Sequence, residues 1–245
     1  MERQDGRRNN QLRNVEFACG FQRHPAGSVL ATFGNTRVIC AVSVEEAVPR
    51  WMKEQGKIGG WITAEYQMLP SSTEQRTERE AIRGKLSGRS SEIQRLIGRS
   101  LRAAVDLEKL PGLTLHIDCD VLDADGGTRC ASITGASLAL ELAVARLIKD
   151  GILTENPLLA RVAAVSVGML QREGLLDLCY VEDAAADVDM NVIMTDKGRY
   201  VELQGSGEEA TFSDDDLTIL LNLAKNGLKT IFDLQEQALR NYLEN

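Results

Sequence analysis

The chain has 245 residues and a formal net charge of −8; charged residues make up 26% of it and hydrophobic residues 43%. This composition predicts a soluble globular protein with no membrane partner, because no run of about 18 apolar residues occurs. The first residues are charged and include no apolar segment, so we expect no secretory signal and a cytoplasmic protein.

Histidine and cysteine usage restricts the chemistry. His24 and His116 are the two histidines, which argues against a histidine-rich zinc site or a histidine-based triad. The five cysteines form no C-x-x-C motif, and we interpret them as reduced, mostly buried thiols. Any metal ion is therefore expected to have oxygen ligands.

The first part of the chain predicts a hairpin-rich sheet. It opens with four arginines: Arg3, Arg7, Arg8 and Arg13. A strand over 15–17 follows, and two β-rich runs around Gly34 and Asn35 predict a hairpin. Residues 56–60 predict a flexible loop, and residues 61–66 predict a strand that returns to the sheet.

A polar, arginine-rich segment covers residues 71–90, and we expect it to be exposed. From Arg76 to Arg102, eight basic residues stand against three acidic ones, a local balance of +5 in an acidic chain. This segment fits either a patch for a polyanion or a solvated helix face with Glu/Arg pairs at helical spacing. The residues alone favour neither interpretation.

A helix is predicted to begin at Ser91, where residues 91–94 fit a capping box and an apolar face follows. Arg89 then lies just before a helix N-terminus, where an arginine is better explained if an anion is bound. Three arginines on the polar face are expected to be solvent-exposed or to contact another subunit: Arg95, Arg99 and Arg102.

The most informative stretch is a strand, a glycine turn and a helix start. Residues 115–121 alternate between apolar and polar, and the pair Gly126 and Gly127 leads into an apolar-periodic helix. Glycine turns and helix starts both present unpaired N–H groups, and Thr128 and Arg129 stand there, so the arrangement suits a phosphate. For these residues alone, a tight turn with a surface arginine is the commoner structure.

A second sheet is predicted after residue 157, with strands over 162–169 and 175–181 joined by a turn. Four carboxylates then occur within eight residues: Glu182, Asp183, Asp187 and Asp189. Because side chains alternate along a strand, Asp187 and Asp189 are expected on one face of the strand over 188–194. Such a cluster suits a hard cation such as Mg²⁺, whereas acidic strand ends are more often simply solvated.

The last part of the chain predicts a hairpin around residues 196–198 and a helix capped at Ser213 that covers the second sheet. The layout is thus an α+β fold of two pseudo-duplicated halves, each a sheet plus helix. The first half, about 1–150, holds the glycine loop, and the second, about 151–245, holds the acidic cluster.

Several motifs, in this order, resemble the ribonuclease PH family, which is related to exosome ring subunits and polynucleotide phosphorylase. They span nearly the whole chain: DGR (5–7), GWITAEY (60–66), MLP (68–70), SGR (87–89), EIQRLIGR (92–99), DCDV (118–121), ADGGTR (124–129), YVED (180–183) and DMNV (189–192). The resemblance implies a ribosomal protein S5 domain 2-like fold, one compact domain over residues 1–245, and a homohexamer built as a trimer of dimers.

Members of this family are phosphate-dependent 3′-to-5′ exoribonucleases that trim tRNA precursors, release nucleoside diphosphates and run in reverse as nucleotidyltransferases. The resemblance implies this activity here, with inorganic phosphate as co-substrate, Mg²⁺ as cofactor, and tRNA precursors and other RNA 3′ ends as partners. The implied site residues are Arg89, Gly127, Thr128 and Arg129 for phosphate, Asp183 and Asp189 for catalysis and metal, and Arg76 and Arg79 for RNA.

Ser71 departs from the family pattern, in which we expect a basic residue after the MLP motif. Either neighbouring arginines cover the RNA, or RNA binding is weaker and shifted.

Two other classes of protein remain as alternatives. A non-catalytic RNA-binding ring subunit would lack Asp183, Asp189 or Arg129, and all three are present. A structural protein whose arginines only contact subunits predicts RNA binding that does not weaken steeply with salt.

Overall fold

The computed structural model describes residue 3, residues 5–207 and residues 210–244. Its first sheet has five strands: β1 (Val15–Cys19), β2 (Gly27–Phe33), β3 (Thr36–Glu45), β4 (Trp61–Met68) and β5 (Thr114–Asp123). Their order is β1-β2-β3-β5-β4, and neighbours are antiparallel except for the parallel pair β4 and β5. The predicted hairpin and the three other predicted strands of the first half are confirmed.

The second sheet is antiparallel, with the order β7-β6-β8-β9. Its strands are β6 (Val162–Leu170), β7 (Glu173–Leu176), β8 (Val188–Thr195) and β9 (Tyr200–Gly207). Gln171 and Arg172 join β6 to β7 with φ values of 52° and 66°, the left-handed backbone of a two-residue hairpin turn. The predicted hairpin turn at residues 196–198 joins β8 to β9.

Three long helices complete the core. In chain order the helices are α1 (Arg50–Glu54), α2 (Glu80–Arg83), α3 (Gly88–Arg102), α4 (Thr128–Lys149), α5 (Tyr180–Asp183) and α6 (Asp214–Leu243), with a 3₁₀ turn at Leu107–Lys109. Ser213 caps α6, as predicted, and α6 packs on β6 and β7 and also reaches β1. The sheet-plus-helix layout of an α+β fold is therefore confirmed.

Helix α4 joins the two sheets. It contacts β2 and β3 of the first sheet and β6 of the second, and buried side chains of both sheets form one continuous core. By length and composition α4 is apolar enough to cross a membrane, but 78% of its most apolar window is buried inside the fold. An all-round apolar helix of this kind is the core helix of a two-sheet protein.

Helix α3 begins earlier than predicted. Its N-cap is Ser87, whose side-chain oxygen accepts from the Ser90 amide at 3.0 Å. The predicted capping box at Ser91 is therefore wrong, because Ser87 offers the same type of cap one turn earlier and satisfies the first free amides. Arg89 consequently lies in the first turn of α3 rather than before it.

Two further expectations for the helices and strands need correction. The strand predicted over 175–181 ends at Leu176, because Asp177 adopts a φ of 55° and the chain then turns into α5. Arg102 was expected to be solvent-exposed or to contact another subunit, and the first alternative is wrong. The residue is half-buried within its own chain, where its guanidinium lies 4.6 Å from the Trp61 ring centroid and Nη1 donates to the Ile62 carbonyl at 2.8 Å.

Candidate active site lined by both halves of the chain

A cavity of about 400 Å³ is lined by residues from both halves. Six of the eight predicted site residues line it: Arg89, Gly127, Thr128, Arg129, Asp183 and Asp189. Arg76 and Arg79 do not line it and lie on the segment that leads to α3. The fold thus brings the predicted phosphate loop and the predicted acidic pair to the same cavity, although they come from different sheets.

The glycine turn between β5 and α4 has a backbone that favours glycine. Gly126 and Gly127 have φ values of 76° and 65°, in the left-handed region. Gly127 is the N-cap of α4 and provides no side-chain cap, so the first amides of this long helix are open to a ligand. This arrangement is typical of a helix start that binds an anion.

A hydrogen bond to the buried Tyr66 holds the Thr128 side chain in place. The Thr128 Oγ1 and the Tyr66 hydroxyl lie 2.9 Å apart. Burial raises the pKa of Tyr66, and although the Thr128 hydrogen bond and the charges of Arg89 and Arg129 lower it, the pKa stays above its ordinary value. Tyr66 is therefore neutral in the working pH range, and its hydroxyl orients Thr128.

Replacing Gly126 by alanine is expected to separate the loop from α5. The new Cβ would lie 2.7 Å from the Leu178 carbonyl oxygen and 2.8 Å from the Tyr180 amide nitrogen, both backbone atoms. Gly112 is the control, because its φ is 74° but a Cβ there meets nothing within 4 Å.

In urea unfolding we expect Gly112→Ala to cost about 1 kcal/mol, from backbone strain alone. Gly126→Ala should cost roughly 1–3 kcal/mol more, because overpacking against fixed backbone adds to the strain. Equal costs for the two variants would mean that the loop yields and is not held against the start of α5.

Arg129 is oriented by two polar residues that the sequence did not single out for a role. Its Nη1 donates to Oε1 of Gln204 on β9, and Gln204 Nε2 donates to Glu92 Oε1 at 2.8 Å. Glu92 Oε1 also lies 3.6 Å from Arg129 Nη1. These partners are distant in the sequence, so no local pattern could identify them. Together, Gln204 and Glu92 hold the Arg129 guanidinium at the wall of the cavity.

Asp183 and Asp189 both line the wall of the cavity. Asp183 ends α5, Asp189 lies in β8, and the Ser206 hydroxyl donates to Asp189 Oδ1 at 3.1 Å. Within the described ranges, no group of three or more His, Cys, Asp or Glu side chains is placed to hold a metal ion. The pair nevertheless fits Mg²⁺, which commonly takes one or two carboxylates and completes its shell with water and phosphate oxygens.

The other two carboxylates of the predicted cluster have separate positions. Glu182 is 4% exposed and accepts from Arg3 Nε at 2.7 Å and Nη2 at 2.6 Å. Asp187 precedes β8 and lines a different cavity from Asp189. The expectation that Asp187 shares a face with Asp189 is therefore wrong, because the strand's alternation begins only after Asp187.

Two of the four arginines near the start of the chain are buried. Arg3 and Arg13 are 2% and 7% exposed. Arg3 pairs with Glu182, and Arg13 pairs with Asp177 at 2.7 Å. The only signal in the sequence was the DGR motif, whose Arg7 lies within 4 Å of both acidic residues. Arg3, Arg7 and Arg13 therefore contact the turn at Asp177 and the helix α5 that ends at Asp183.

The segment before α3 is mostly exposed, as predicted, and Ser71, Arg76 and Arg79 are all on the surface. The side chain of Arg83 lies outside the described part of the structure. Hydrogen bonds connect this segment to the end of β5 and to the first turn of α3. The Ala124 amide donates to the Ser72 carbonyl at 2.8 Å, and Ser90 Oγ donates to Glu80 Oε1 at 2.7 Å.

Two family models match most of the chain. The model described as 3′ exoribonuclease family, domain 1, matches residues 11–145, and that of domain 2 matches residues 160–227. Among curated relatives, the ribonuclease PH of Bacillus subtilis is 58% identical over 98% of this chain and 98% of its own length. The ribonuclease PH of Halalkalibacterium halodurans is 55% identical over 97% of this chain and 92% of its own length.

Solved structures show the same fold at lower identity. The crystal structure of rice (Oryza sativa) Rrp46 is 21% identical with a TM-score of 0.75, covering 97% of this chain and 100% of that one. The Archaeoglobus fulgidus exosome with RNA bound to the active site is 22% identical with a TM-score of 0.79, covering 95% of this chain and 92% of that one. The fold predicted from the resemblance is confirmed. Together with the relatives above, the family models show that the chain belongs to the 3′ exoribonuclease family and, within it, to the ribonuclease PH proteins.

Proposed function

We propose that the protein is a phosphate-dependent 3′-to-5′ exoribonuclease, a tRNA nucleotidyltransferase that trims tRNA precursors and adds nucleotides in the reverse direction. The observation that carries this proposal is the single cavity that combines an open helix start and two arginines with Asp183 and Asp189. Those are the groups needed to bind inorganic phosphate next to the phosphodiester it attacks.

The proposed reaction is a direct displacement at phosphorus. An oxygen of inorganic phosphate bonds to the phosphorus of the terminal phosphodiester, and the bond from that phosphorus to the 3′ oxygen of the preceding nucleotide breaks. The products are a nucleoside diphosphate and a shortened RNA, whose 3′ oxygen takes up a proton. Because no covalent protein intermediate is needed, catalysis rests on positioning and electrostatics.

Arg89, Arg129 and the loop of Gly127 and Thr128 hold the attacking phosphate in this proposal. A guanidinium matches two phosphate oxygens, and backbone amides at a helix start add directed hydrogen bonds. Arg129 is already oriented by Gln204, so less side-chain freedom is lost when phosphate binds.

Asp183 and Asp189 would hold Mg²⁺, which, when bound, neutralises charge on the scissile phosphate. The Ser206 hydroxyl fixes one oxygen of Asp189 and leaves the other carboxylate oxygen for a cation. Support for this role comes from the chemistry of the donor set, because two carboxylates supply the oxygen ligands that Mg²⁺ prefers.

We further propose that the chain acts as one domain over residues 1–245 in a cytoplasmic homohexamer, a trimer of dimers. Its substrates would be tRNA precursors and other RNA 3′ ends, including rRNA. The continuous core beneath both sheets supports one functional unit, and the high identity to bacterial ribonuclease PH proteins supports the substrate class. Sedimentation of the purified protein would measure the assembly directly.

The decisive experiment is product analysis on a tRNA with a short 3′ extension, incubated with Mg²⁺ and with or without inorganic phosphate. We expect nucleoside diphosphates only when phosphate is present. Nucleoside monophosphates would show that water is the nucleophile, and a complete lack of product would favour a non-catalytic RNA-binding subunit.

Replacing Arg76 and Arg79 together by alanine is expected to weaken RNA binding and to flatten its salt dependence. Each lost phosphate contact should reduce the slope of log K against log salt by roughly 0.7 for single-stranded RNA. The control is Arg50→Ala with Arg240→Ala, which removes the same charge from exposed i,i+4 pairs elsewhere. An equal slope for both double variants would assign Arg76 and Arg79 to a solvated surface.

A further inference from the structure

Arg13 is a buried arginine whose guanidinium joins the two sides of the candidate site. Its side chain is 5% exposed and that of Asp177 is 3% exposed. Asp177 Oδ2 accepts from Arg13 Nε at 3.0 Å and from the Arg13 amide at 2.8 Å, while Oδ1 accepts from Nη2 at 2.7 Å. Asp177 therefore binds one edge of the planar guanidinium in a bidentate arrangement, with both of its carboxylate oxygens.

Nη1, the guanidinium nitrogen of Arg13 that does not bind Asp177, points to the phosphate loop. Arg13 Nη1 donates to the backbone carbonyl of Asp125. A Cβ added at Gly127 would lie 3.0 Å from Arg13 Nη2, so the guanidinium packs directly against the loop backbone. Arg13 therefore supports the turn from which α4 starts.

Asp177, at the other end of the pair, belongs to a turn with an unusual backbone. Its φ is 55°, and its carbonyl accepts from Arg3 Nη2 at 3.1 Å and Arg7 Nη1 at 3.0 Å. A non-glycine residue in this region is costly and persists only when its surroundings hold it. This turn leads directly into α5, which ends at Asp183.

The Arg13 guanidinium keeps its positive charge in this buried position. Burial lowers the pKa of Arg13, but Asp177 outweighs burial and leaves the pKa above its ordinary value. Buried ion pairs often add little net stability compared with a well-packed apolar pair. The Arg13 guanidinium does, however, hold two segments in a fixed relative position. These are the loop at Asp125 and the turn at Asp177, which are more than fifty residues apart in the sequence.

We propose that Arg13, through Asp177, is a positioning residue that sets the phosphate loop at the correct distance from α5 and Asp183. This inference rests on the proposed function, because it assigns the loop to phosphate and Asp183 to catalysis. A lysine at position 13 would keep the charge but has a single ammonium, which cannot bridge Asp177 and the Asp125 carbonyl in the same way.

The test compares Arg13→Lys with Arg161→Lys. Arg161 is a matched control because it makes a similar two-pronged pair with Glu141, at 2.7 Å and 2.8 Å, with side-chain exposures of 14% and 12%. It lies outside the candidate site. We expect Arg13→Lys to raise the KM for phosphate about tenfold, because a misplaced loop binds phosphate less well. The KM for RNA should be nearly unchanged. Arg161→Lys should leave both values unchanged.

A second measurement does not depend on turnover. Inorganic phosphate should raise the thermal midpoint of the unaltered protein by binding the folded state, and Arg13→Lys should show a clearly smaller rise than Arg161→Lys at equal phosphate. An unchanged phosphate KM and an equal phosphate-dependent rise for Arg13→Lys would overturn the positioning role, even if its midpoint without phosphate were lower.

Asp177→Asn serves if Arg13→Lys fails to fold, because it retains one acceptor oxygen and nearly the same shape. The same loss of phosphate response is expected, and an unaltered response would refute the proposal. If the unaltered protein yields no diphosphates from RNA and phosphate, the proposed function fails, and the thermal comparison still decides whether Arg13 supports an anion site.

Discussion

Arg129→Ala is expected to lower kcat/KM for inorganic phosphate by about 10²- to 10³-fold, the usual effect of removing one charge-stabilising donor. RNA affinity should change little, because Arg129 lies in the cavity rather than on the exposed segment before α3. Initial rates of nucleoside diphosphate release at increasing phosphate would measure the first quantity, and RNA titration without phosphate would measure the second.

The control for this variant is Arg99→Ala. Arg99 also pairs with an acceptor on β9, Glu202, at 2.9 Å and 3.1 Å, but it does not line the cavity. Loss of Arg99 should therefore leave the phosphate dependence intact. If Arg129→Ala retained its activity at moderate phosphate, the attacking phosphate would have to be bound elsewhere.

Asp189→Asn is expected to remove most Mg²⁺-dependent turnover at saturating RNA and phosphate, by about 10²-fold or more, because a metal ion supplies several kcal/mol of charge stabilisation. Folding should be little affected, since asparagine keeps an oxygen that can accept from Ser206. The measurements are the turnover rate as a function of Mg²⁺ concentration and the thermal midpoint.

Asp187→Asn provides the matched comparison, because it makes the same substitution two residues earlier, in a side chain that lines a different cavity. Its turnover and Mg²⁺ dependence should equal those of the unaltered protein. Full activity in Asp189→Asn, or equal losses in both variants, would remove Asp189 from the proposed metal site.

Local patterns predicted most of the helices and strands, because these patterns depend on neighbouring residues. Period-two alternation marked β5, the Gly126 and Gly127 pair marked the turn, and Ser213 with its acidic first turn marked α6. The start of α3 was predicted wrongly because two local signals competed. Ser87 and Ser91 both precede a suitable helical stretch, and only the packed structure shows that Ser87 is the cap.

The candidate site was predictable to different degrees on its two sides. The helix start at Thr128 and Arg129 follows from a contiguous stretch, so the anion-site hypothesis arose from sequence alone. The acidic side required the family resemblance, because the sequence offers four carboxylates and no means of separating Asp183 and Asp189 from Glu182, which is buried against Arg3. Their roles remain predictions until the variants above are measured.

By itself the sequence determined the α+β pattern, the position of the glycine loop and the family to which the chain belongs, because each is written in local periodicity or contiguous motifs. Only the tertiary structure decided that Arg3 and Arg13 are buried, that Gln204 and Glu92 orient Arg129, and that Arg13 connects the phosphate loop to the turn before α5. The physical reason is that these contacts join residues far apart in the chain, and a charged side chain is buried only when folding brings it an oppositely charged partner.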